Sequence, residues 1–230
     1  MRVVAAVHSD DGGPCLFGEV VRERGHELVE WRPAETPPPQ DADAVLVFGG
    51  SMHVDQEHTH PWLRDERDWL ASLLDRRVPT LGVCLGAEML ANAAGWHVAP
   101  MARPEIGWHD VELTPAAPAD PVLAGAPARF PAFQWHSYAV SPPEGASVLA
   151  VNPACAQAYR VAERAWGIQF HAEVDAATVE QWLEDGADGD DAREVALDAG
   201  GVRERTWREI AAWNELGRGL CGRFLELAEA

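Results

Sequence analysis

Residues 79–95 read PTLGVCLGAEMLANAAG, and this stretch decides the fold class of the chain. The apolar run Pro79–Val83 predicts a buried parallel strand. Leu85–Ala94 has the pattern of a helix, and Gly95 is suited to end it. The tight G-x-C-x-G turn between them places Cys84 where a strand gives way to a helix, which is the unit from which α/β folds are built.

Apolar strands and amphipathic helices alternate on both sides of this unit. Further strands are predicted at Val3–Val7, Glu27–Trp31, Ala44–Phe48 and Trp166–Phe170. Further helices are predicted at Leu16–Arg24, Pro61–Arg77, Ala176–Glu184 and Thr206–Ala228. Strands that alternate with helices in this way predict a mostly parallel sheet with helices on both faces.

The middle third of the chain breaks this alternation. Between Val98 and Tyr159 the segments are short and rich in Pro and Gly, and they predict a short antiparallel extension of the sheet. The stretch GADGDDAREVALDAGG at 186–201 is acidic and rich in glycine, so we expect a weakly ordered connection there. Because no internal repeat is present, the pattern predicts a single α/β domain over residues 1–230.

The charged residues exclude several functions. All 18 basic residues are arginine, and they stand against 37 acidic residues, for a net charge of −19. Without lysine there is no P-loop lysine, no Schiff base and no lysine-bound pyridoxal phosphate. The negative charge argues against nucleic acid or an anionic membrane as a partner. We therefore expect a protein that needs no cofactor.

The cysteines indicate a reducing environment. They lie far apart and form no CxxC pair, at Cys15, Cys84, Cys155 and Cys221. The apolar run at the N-terminus is shorter than a signal peptide requires, and no later run is long enough to span a membrane. These features predict free thiols and a cytoplasmic location.

Cys84 is the candidate nucleophile. Glycines flank it because a tight turn from strand to helix leaves little room for side chains, and the N-terminus of the following helix favours a thiolate. The alternative is that Cys84 is a small buried residue at the end of a strand. A base at the same edge of the sheet would favour the catalytic interpretation.

His171 and Glu173 are the candidate partners of this cysteine. They follow the strand Trp166–Phe170 at spacing i, i+2, which points both side chains the same way on an extended segment. The carboxyl ends of parallel strands meet at one edge of a sheet. We therefore expect His171 close to Cys84, with Glu173 orienting the imidazole.

Gly49 and Gly50 end a third strand at the same edge. Their backbone N–H groups can approach a ligand closely, and one of them can join the N–H of Leu85 in an oxyanion hole. A simple tight turn is the alternative interpretation of the two glycines.

Taken in order, the motifs FGG at 48–50, GVCLGAEMLA at 82–91 and GIQFHAEV at 167–174 resemble those of the class I (triad) glutamine amidotransferases. The similarity covers nearly the whole chain. PWLRDERDWL at 61–70, EIGW at 105–108 and QWHSY at 134–138 resemble the stand-alone members related to the amidotransferase domain of GMP synthase. The resemblance implies a flavodoxin-like sheet and hydrolysis of the γ-amide of glutamine through a γ-glutamyl thioester.

The resemblance also implies a role for individual residues. Cys84 corresponds to the nucleophile, His171 to the general base and acid, and Glu173 to its orienting carboxylate. Gly50 and Leu85 correspond to the oxyanion-hole donors, with Gly49 beside them at the substrate. His136, Ser137 and Tyr138 match the strip that lies along the substrate, whose backbone meets the α-carboxylate of the substrate.

Two positions depart from the family pattern. Glu88 stands where the family usually has a glutamine that helps to hold the substrate. It could pair with the α-ammonium group of the substrate, or it could be an acid at a helix N-terminus that faces water. Ala172 replaces the usual proline and removes no functional group.

A histidine-rich loop and the tryptophans are assigned no chemistry. His53, His58 and His60 lie near two acidic residues, but their spacing fits no zinc pattern, so we expect a polar loop near the site entrance and no metal site. Five tryptophans on helix faces are predicted to pack in the core: Trp62, Trp69, Trp182, Trp207 and Trp213. Trp108 and Trp135 are predicted to border the cleft.

Several functions remain open at this level. The chain could be a glutaminase that feeds ammonia to a synthetase, or a hydrolase that acts alone on a γ-glutamylated amine or peptide. Nothing in the chain resembles an ATP site, so the synthetase would be a separate polypeptide. The PfpI type of cysteine enzyme shares the elbow but often has histidine after the nucleophile, where this chain has Leu85. A catalytically silent binding module is the non-enzymatic alternative.

Overall fold

A nine-stranded mixed sheet runs through the molecule. The computed structural model describes all residues, Met1–Ala230. The strands are β1 Arg2–Ala6, β2 Glu27–Trp31, β3 Ala44–Val47, β4 Thr80–Val83, β5 His97–Leu113, β6 Arg129–Ser141, β7 Ser147–Val151, β8 Ala156–Ala162 and β9 Ala165–Ile168. The helices are α1 Cys15–Glu23, α2 Trp62–Asp75, α3 Leu85–Ala93, α4 Ala176–Gly186, α5 Asp190–Val195 and α6 Ala199–Glu229.

The strand order is β2-β1-β3-β4-β9-β8-β7-β5-β6, and the first five strands are parallel. The strands β3, β4 and β9 are buried along their whole length, which their continuous apolar sequences predict for parallel strands covered on both faces. Val83 of β4 pairs with Ile168 of β9, so the chain leaves both strands at the same edge. That edge is where the segments after β1, β3, β4 and β9 meet.

Different helices cover the two faces of the parallel strands. Val3 and Val4 of β1 point to opposite faces, as successive strand residues must. The face of Val3 packs against Phe17 of α1 and Phe224 of α6. The face of Val4 packs against apolar residues of α2 and α3, among them Leu70. The core is therefore two apolar layers separated by the sheet.

The remaining strands are antiparallel and extend the sheet beyond β9. β5 and β6 pair along most of their length, with Glu105 opposite His136, and the register shifts between Pro100 and Glu105. The predicted α/β class, with a parallel part and an antiparallel extension in the middle third, is confirmed. Two strands of that extension are the longest of the sheet, with 17 and 13 residues.

The prediction of a weakly ordered connection at 186–201 is wrong. Helix α5 lies within it, and α6 begins at Ala199 rather than at Thr206. Asp190 and Asp191 occupy the first turn of α5, where acidic side chains favour a helix. The Asp198 side chain accepts a hydrogen bond from the backbone N–H of Gly201 and caps α6. Acidic residues here are helix starts rather than signs of disorder.

Of the five helix-face tryptophans, two pack in the core as predicted, two (Trp62 and Trp182) are partly buried against it, and one is exposed. Trp69 and Trp213 are buried. Trp207, next to the buried Thr206, is 77 % exposed because α6 presents its opposite face to solvent at that position. None of the helices combines the length and the apolar character that crossing a bilayer demands.

Candidate active site

Cys84 sits on a strained turn between β4 and α3. Its backbone has φ 52° and ψ −115°, a conformation that side-chain-bearing residues rarely adopt. A Cβ atom on Gly82 would overlap the carbonyl oxygen of Gly86, and one on Gly86 would overlap the carbonyl oxygen of Val47. The two glycines are therefore required by close backbone packing, and together they hold the cysteine at the carboxyl end of β4.

His171 and Glu173 form a buried pair just after β9. The Nδ1 atom of His171 lies 2.7 Å from Oε1 of Glu173. A carboxylate partner assigns the hydrogen to Nδ1 and leaves Nε2 with a free lone pair. The backbone around the pair is fixed, because Trp213 Nε1 donates to the His171 carbonyl and the Leu16 N–H donates to the Glu173 carbonyl, both at 3.0 Å.

Cys84 and His171 meet over Gly49. A Cβ atom on Gly49 would lie 3.0 Å from Cε1 of His171 and 3.6 Å from Cβ of Cys84. The buried Nε2 of His171 has no hydrogen-bond partner, and the Cys84 thiol donates instead to the Trp135 carbonyl, with Sγ 3.7 Å from that oxygen. The base is thus free, and both side chains line the same cleft.

The thiol of Cys84 is held in its protonated form. Burial raises its pKa well above the ordinary value, and the nearby carboxylates of Glu88 and Glu173 raise it further. The backbone N–H of Leu85, which faces the sulfur, lowers the pKa of the thiol. A cysteine in this state becomes a nucleophile when a base removes its proton as it attacks.

The cleft beside Cys84 has a volume of about 280 Å³. Gly49 and Gly50 line it, and the N–H groups of Gly50 and Leu85 donate no hydrogen bond to a backbone carbonyl of the chain. A Cβ atom on Gly50 would lie 2.8 Å from Cβ of His8, so this turn also has no room for a side chain. Two free backbone donors beside a cysteine can stabilise an oxyanion.

A buried ion pair supports the Gly49–Gly50 turn. Nδ1 of His8 lies 3.2 Å from the Gly49 carbonyl oxygen, and Nε2 lies 3.0 Å from the Glu66 carboxylate. Burial lowers the pKa of His8, but Glu66 and the backbone carbonyls outweigh it and leave that pKa above its ordinary 6.5. The sequence indicated neither residue as part of the site.

Glu88 lies outside the walls of the cleft. Its side chain is 2 % exposed, and its carboxylate accepts a hydrogen bond of 3.0 Å from Nε2 of Gln169. Burial raises its pKa. The expectation that Glu88 could be an acid facing water is wrong, because the first turn of α3 turns this side chain against the sheet, towards the segment that follows β9.

The strip His136–Tyr138 also points away from the cleft. Nδ1 of His136 lies 2.9 Å from the carbonyl oxygen of Tyr138, and Nε2 faces Glu105. The Tyr138 hydroxyl donates to Asp55, and its ring stacks on His53 at 4.0 Å. Ser137 does not line the cleft either. Trp135, the residue before the strip, does line it, as predicted.

The histidine-rich loop uses its side chains in other contacts. Besides His53 on Tyr138, His60 packs against Trp62, and Glu57 pairs with the guanidinium groups of Arg64 and Arg67. Ser51 is the part of this loop that reaches the cleft.

The sequence missed one side of the cleft. Ser9, Asp11 and Gly12 line it from the loop after β1, and Trp182 and Asp185 line it from α4. β1 is also a parallel strand, so the rule that parallel strands end at one edge would have placed the loop after it, with Ser9, Asp11 and Gly12, at the cleft. Helical periodicity assigned Trp182 to the core, and its ring does pack against the core residue Phe133, but it also lies edge-on against His171, with centroids 4.7 Å apart, at the wall of the cleft.

Trp108 does not border this cleft, contrary to the prediction. It is buried against Phe133 and Trp213 and lines a separate cavity of about 490 Å³. That cavity is larger, but Cys84 and His171 are not on its walls. The smaller cleft is therefore the candidate active site.

Known proteins share this sequence pattern and fold. The sequence profile of the glutamine amidotransferase class-I family matches residues 19–187. The glutamine amidotransferase-like protein YfeJ of Salmonella typhimurium is 27% identical over 225 residues, which are 93% of this chain and 91% of that protein. One subunit of the glutamine-hydrolysing GMP synthase of Ignicoccus hospitalis is 31% identical over 164 residues, 69% of this chain and 82% of that subunit.

The fold comparison agrees with the sequence comparison. A crystal structure of a glutamine amidotransferase from Thermotoga maritima superposes with a TM-score of 0.86 at 28% identity, over 98% of both chains. The family profile covers most of the chain, and the relatives share both its sequence and its fold. The chain therefore belongs to the class-I glutamine amidotransferase family, and its relatives include a separate subunit of glutamine-hydrolysing GMP synthase.

Proposed function

We propose that this protein hydrolyses the γ-amide of glutamine with a triad of Cys84, His171 and Glu173. The observation that carries the proposal is the His171 imidazole in the same cleft as Cys84, with its buried Nε2 free and its Nδ1 fixed by Glu173. An imidazole oriented in this way can accept a proton at one nitrogen only. Family membership supports the same reaction.

The first half of the reaction forms a γ-glutamyl thioester. The substrate carbonyl oxygen lies between the N–H groups of Gly50 and Leu85, and the thiol gives its proton to Nε2 of His171 as Sγ attacks the γ-carbonyl carbon. The two N–H groups stabilise the oxyanion of the tetrahedral intermediate. The imidazolium then protonates the amide nitrogen, the C–N bond breaks, and ammonia leaves.

The second half regenerates the cysteine. Nε2 of His171 takes a proton from a water molecule, whose oxygen attacks the thioester carbon. The C–S bond breaks, the thiolate recovers its proton from the imidazolium, and glutamate is released. Glu173 stabilises the imidazolium in both halves without taking up a proton.

The walls of the cleft suit a small amino acid substrate. A volume of about 280 Å³ lies just below the range of about 300–1,000 Å³ that is typical of ligand pockets. The carboxylates of Asp11 and Asp185 line the cleft and offer a partner to an α-ammonium group. We assign to these two residues the pairing with the α-ammonium group that was one of the two alternatives for Glu88. We assign to the backbone of Gly49 and Trp135 the contacts expected of His136–Tyr138.

The fate of the ammonia depends on a partner. Similarity to a separate subunit of glutamine-hydrolysing GMP synthase supports a role as a glutaminase that supplies ammonia to another polypeptide, the synthetase. The alternative is a hydrolase that acts alone on a γ-glutamylated amine or peptide. In both cases we propose that residues 1–230 act as a single domain, since one continuous sheet joins all the strands.

Covalent labelling tests the proposal. A diazoketone analogue of glutamine should modify Cys84 and no other cysteine, as measured by peptide mass spectrometry. The Cys15→Ser variant should label like the wild type, and Cys84→Ala should not label and should release no ammonia. Absence of an adduct on Cys84 in the folded wild type would contradict the enzymatic function and favour a binding module.

Measurement of ammonia release then distinguishes a hydrolase that acts alone from a glutaminase that supplies a synthetase. Turnover of glutamine by the isolated chain, or of γ-glutamyl amines in preference to glutamine, would favour independent action. Labelling of Cys84 with little turnover until a synthetase is added would favour a glutaminase that works within a complex.

A further inference from the structure

Three potential metal ligands meet behind the cleft, on the antiparallel part of the sheet. Glu105 lies on β5, His136 lies opposite it on β6, and Cys155 directly precedes β8. One ligand atom from each lies within 4.8 Å of the other two. Oε2 of Glu105 is 3.3 Å from Nε2 of His136 and 4.0 Å from Sγ of Cys155.

The imidazole of His136 is oriented as a metal ligand would be. Its side chain is 1 % exposed, and Nε2 makes no hydrogen bond although it points into the cluster. The other nitrogen, Nδ1, lies 2.9 Å from the Tyr138 carbonyl oxygen. A hydrogen on Nδ1 that is donated to a backbone carbonyl fixes the tautomer and leaves the Nε2 lone pair for a ligand.

Amide side chains hold the other two ligands in place. Nδ2 of Asn152 donates to Oε1 of Glu105 at 2.7 Å, while Oδ1 of Asn152 accepts from the backbone N–H of Cys155 at 2.9 Å. Nε2 of Gln157 donates to Oε2 of Glu105 at 3.1 Å and to Sγ of Cys155 at 3.2 Å. An N–H directed at the sulfur stabilises a thiolate, the form in which cysteine binds a metal.

We propose that Glu105, His136 and Cys155 bind a divalent transition metal of the zinc class. A nitrogen, an oxygen and a sulfur ligand together suit zinc and its neighbours better than calcium or magnesium. Tetrahedral zinc with ordinary bond lengths separates its N and O ligands by about 3.3 Å and its S and O ligands by about 3.5 Å. The first separation matches the structure, whereas Sγ of the half-buried Cys155 has to move closer to both other ligand atoms, since it lies 4.0 Å from Oε2 and the three atoms lie within 4.8 Å of one another.

The site has an entry path and an open fourth position. Two surface cavities, of about 490 and 560 Å³, both reach Glu105 and His109. Nδ1 of His109 lies 3.4 Å from Oε1 of Glu105, so either this imidazole or a water molecule can complete the coordination. Cys155 binds as the thiolate and releases its proton to solvent.

A metal at this position would cross-link β5, β6 and the turn before β8. It would thereby stabilise the part of β6 next to the nucleophile, because Trp135, whose carbonyl accepts a hydrogen bond from the Cys84 thiol, directly precedes His136. The role is structural, and it does not depend on the reaction proposed for Cys84.

Cobalt binding tests the proposal without an activity assay. The full chain, without a histidine tag and stripped with a chelator, should take up one equivalent of Co²⁺ and develop a thiolate-to-cobalt charge-transfer band that Zn²⁺ then removes. Cys155→Ser should lose the band, whereas Cys15→Ser, which removes another half-buried thiol, should keep it. Asn152→Ala should bind about 10- to 100-fold more weakly, because it removes a residue that orients two ligands.

Each other outcome would overturn the proposal. No uptake by the wild type would do so, as would a charge-transfer band that Cys155→Ser retains. Uptake that disappears only when His53, His58 and His60 are replaced would mean binding at the surface loop. Circular dichroism would verify that Cys155→Ser is folded, and Zn²⁺ should raise the melting temperature of the wild type and of Cys15→Ser but not of Cys155→Ser.

Discussion

Glu88 is buried one helical turn beyond Cys84, and its carboxylate raises the pKa of the Cys84 thiol. Both side chains belong to the same strand–turn–helix unit, so the effect follows from local geometry rather than from a distant contact. Glu88 accepts a hydrogen bond from Gln169 and does not reach the cleft. Glu88 therefore acts on the nucleophile through its charge.

Glu88→Gln should lower the pKa of Cys84, because it removes a negative charge but leaves an oxygen to accept from Gln169. The rate of Cys84 alkylation by iodoacetamide, measured as a function of pH, should have its inflection at lower pH in the variant. Glu184→Gln, on an exposed position of α4, is the matched control and should leave the profile unchanged. An unchanged inflection in Glu88→Gln would contradict the electrostatic coupling.

Gly86→Ala should destabilise the protein strongly, since its Cβ would overlap the backbone carbonyl of Val47, which cannot move without disrupting β3. Overpacking of this kind typically lowers the free energy of unfolding by about 1–3 kcal/mol. We expect a loss near the upper end of that range, because the clash is with backbone atoms of β3 rather than with a side chain that can move. Gly13→Ala is the control, because nothing lies within 4 Å of its Cβ position. Urea denaturation of both variants measures the difference, and equal stability would refute the close-packing argument.

The sequence predicted the elements of the parallel half of the sheet because the signals there are local. Apolar runs such as Ala44–Phe48 and the glycines around Cys84 carry the information within a few residues. The rule that strand ends meet at one edge then brought Cys84 and His171 together. This much of the candidate site needs no knowledge of side-chain packing.

Other parts of the site depend on contacts between distant segments. Trp182 lies against His171 because one particular face of α4 packs on the edge of the sheet. The periodicity of α4 alone does not show which face that is. The register of β5 against β6 brings Glu105 to His136, although the two residues are far apart along the chain. The sequence likewise left two interpretations of Glu88 open, because its contact with Gln169 joins two distant segments.

The His8–Glu66 pair should make stability depend on pH. Because the folded pKa of His8 is raised above 6.5, the pair contributes stability fully below that value and loses it as the pH rises through the folded pKa. Glu66→Gln should therefore be less stable than the wild type at about pH 6, and the gap should narrow towards about pH 9. Unfolding free energies across this range measure the gap, which Glu184→Gln should not show. A gap that does not narrow would contradict the role of His8.

Glu173→Gln should impair turnover far more than it impairs the fold. The Glu173 carboxylate is the acceptor for Nδ1 of His171 and stabilises the imidazolium that forms at each proton transfer. A neutral amide stabilises it less and allows the other tautomer, in which Nε2 carries the hydrogen and cannot act as a base.

We expect kcat for glutamine hydrolysis to fall by about 10²–10⁴-fold, the range typical of general acid–base catalysis, with a much smaller change in KM. Steady-state ammonia release measures both constants. Glu180→Gln, on α4 outside the cleft, where Glu180 pairs with Arg203 of α6, is the matched control and should retain activity. Because Cys84 is still present, Glu173→Gln should bind the diazoketone analogue but react with it more slowly. A variant with wild-type kcat would mean that His171 is oriented by its backbone contacts and by Trp182 alone, and the triad would reduce to a Cys–His pair.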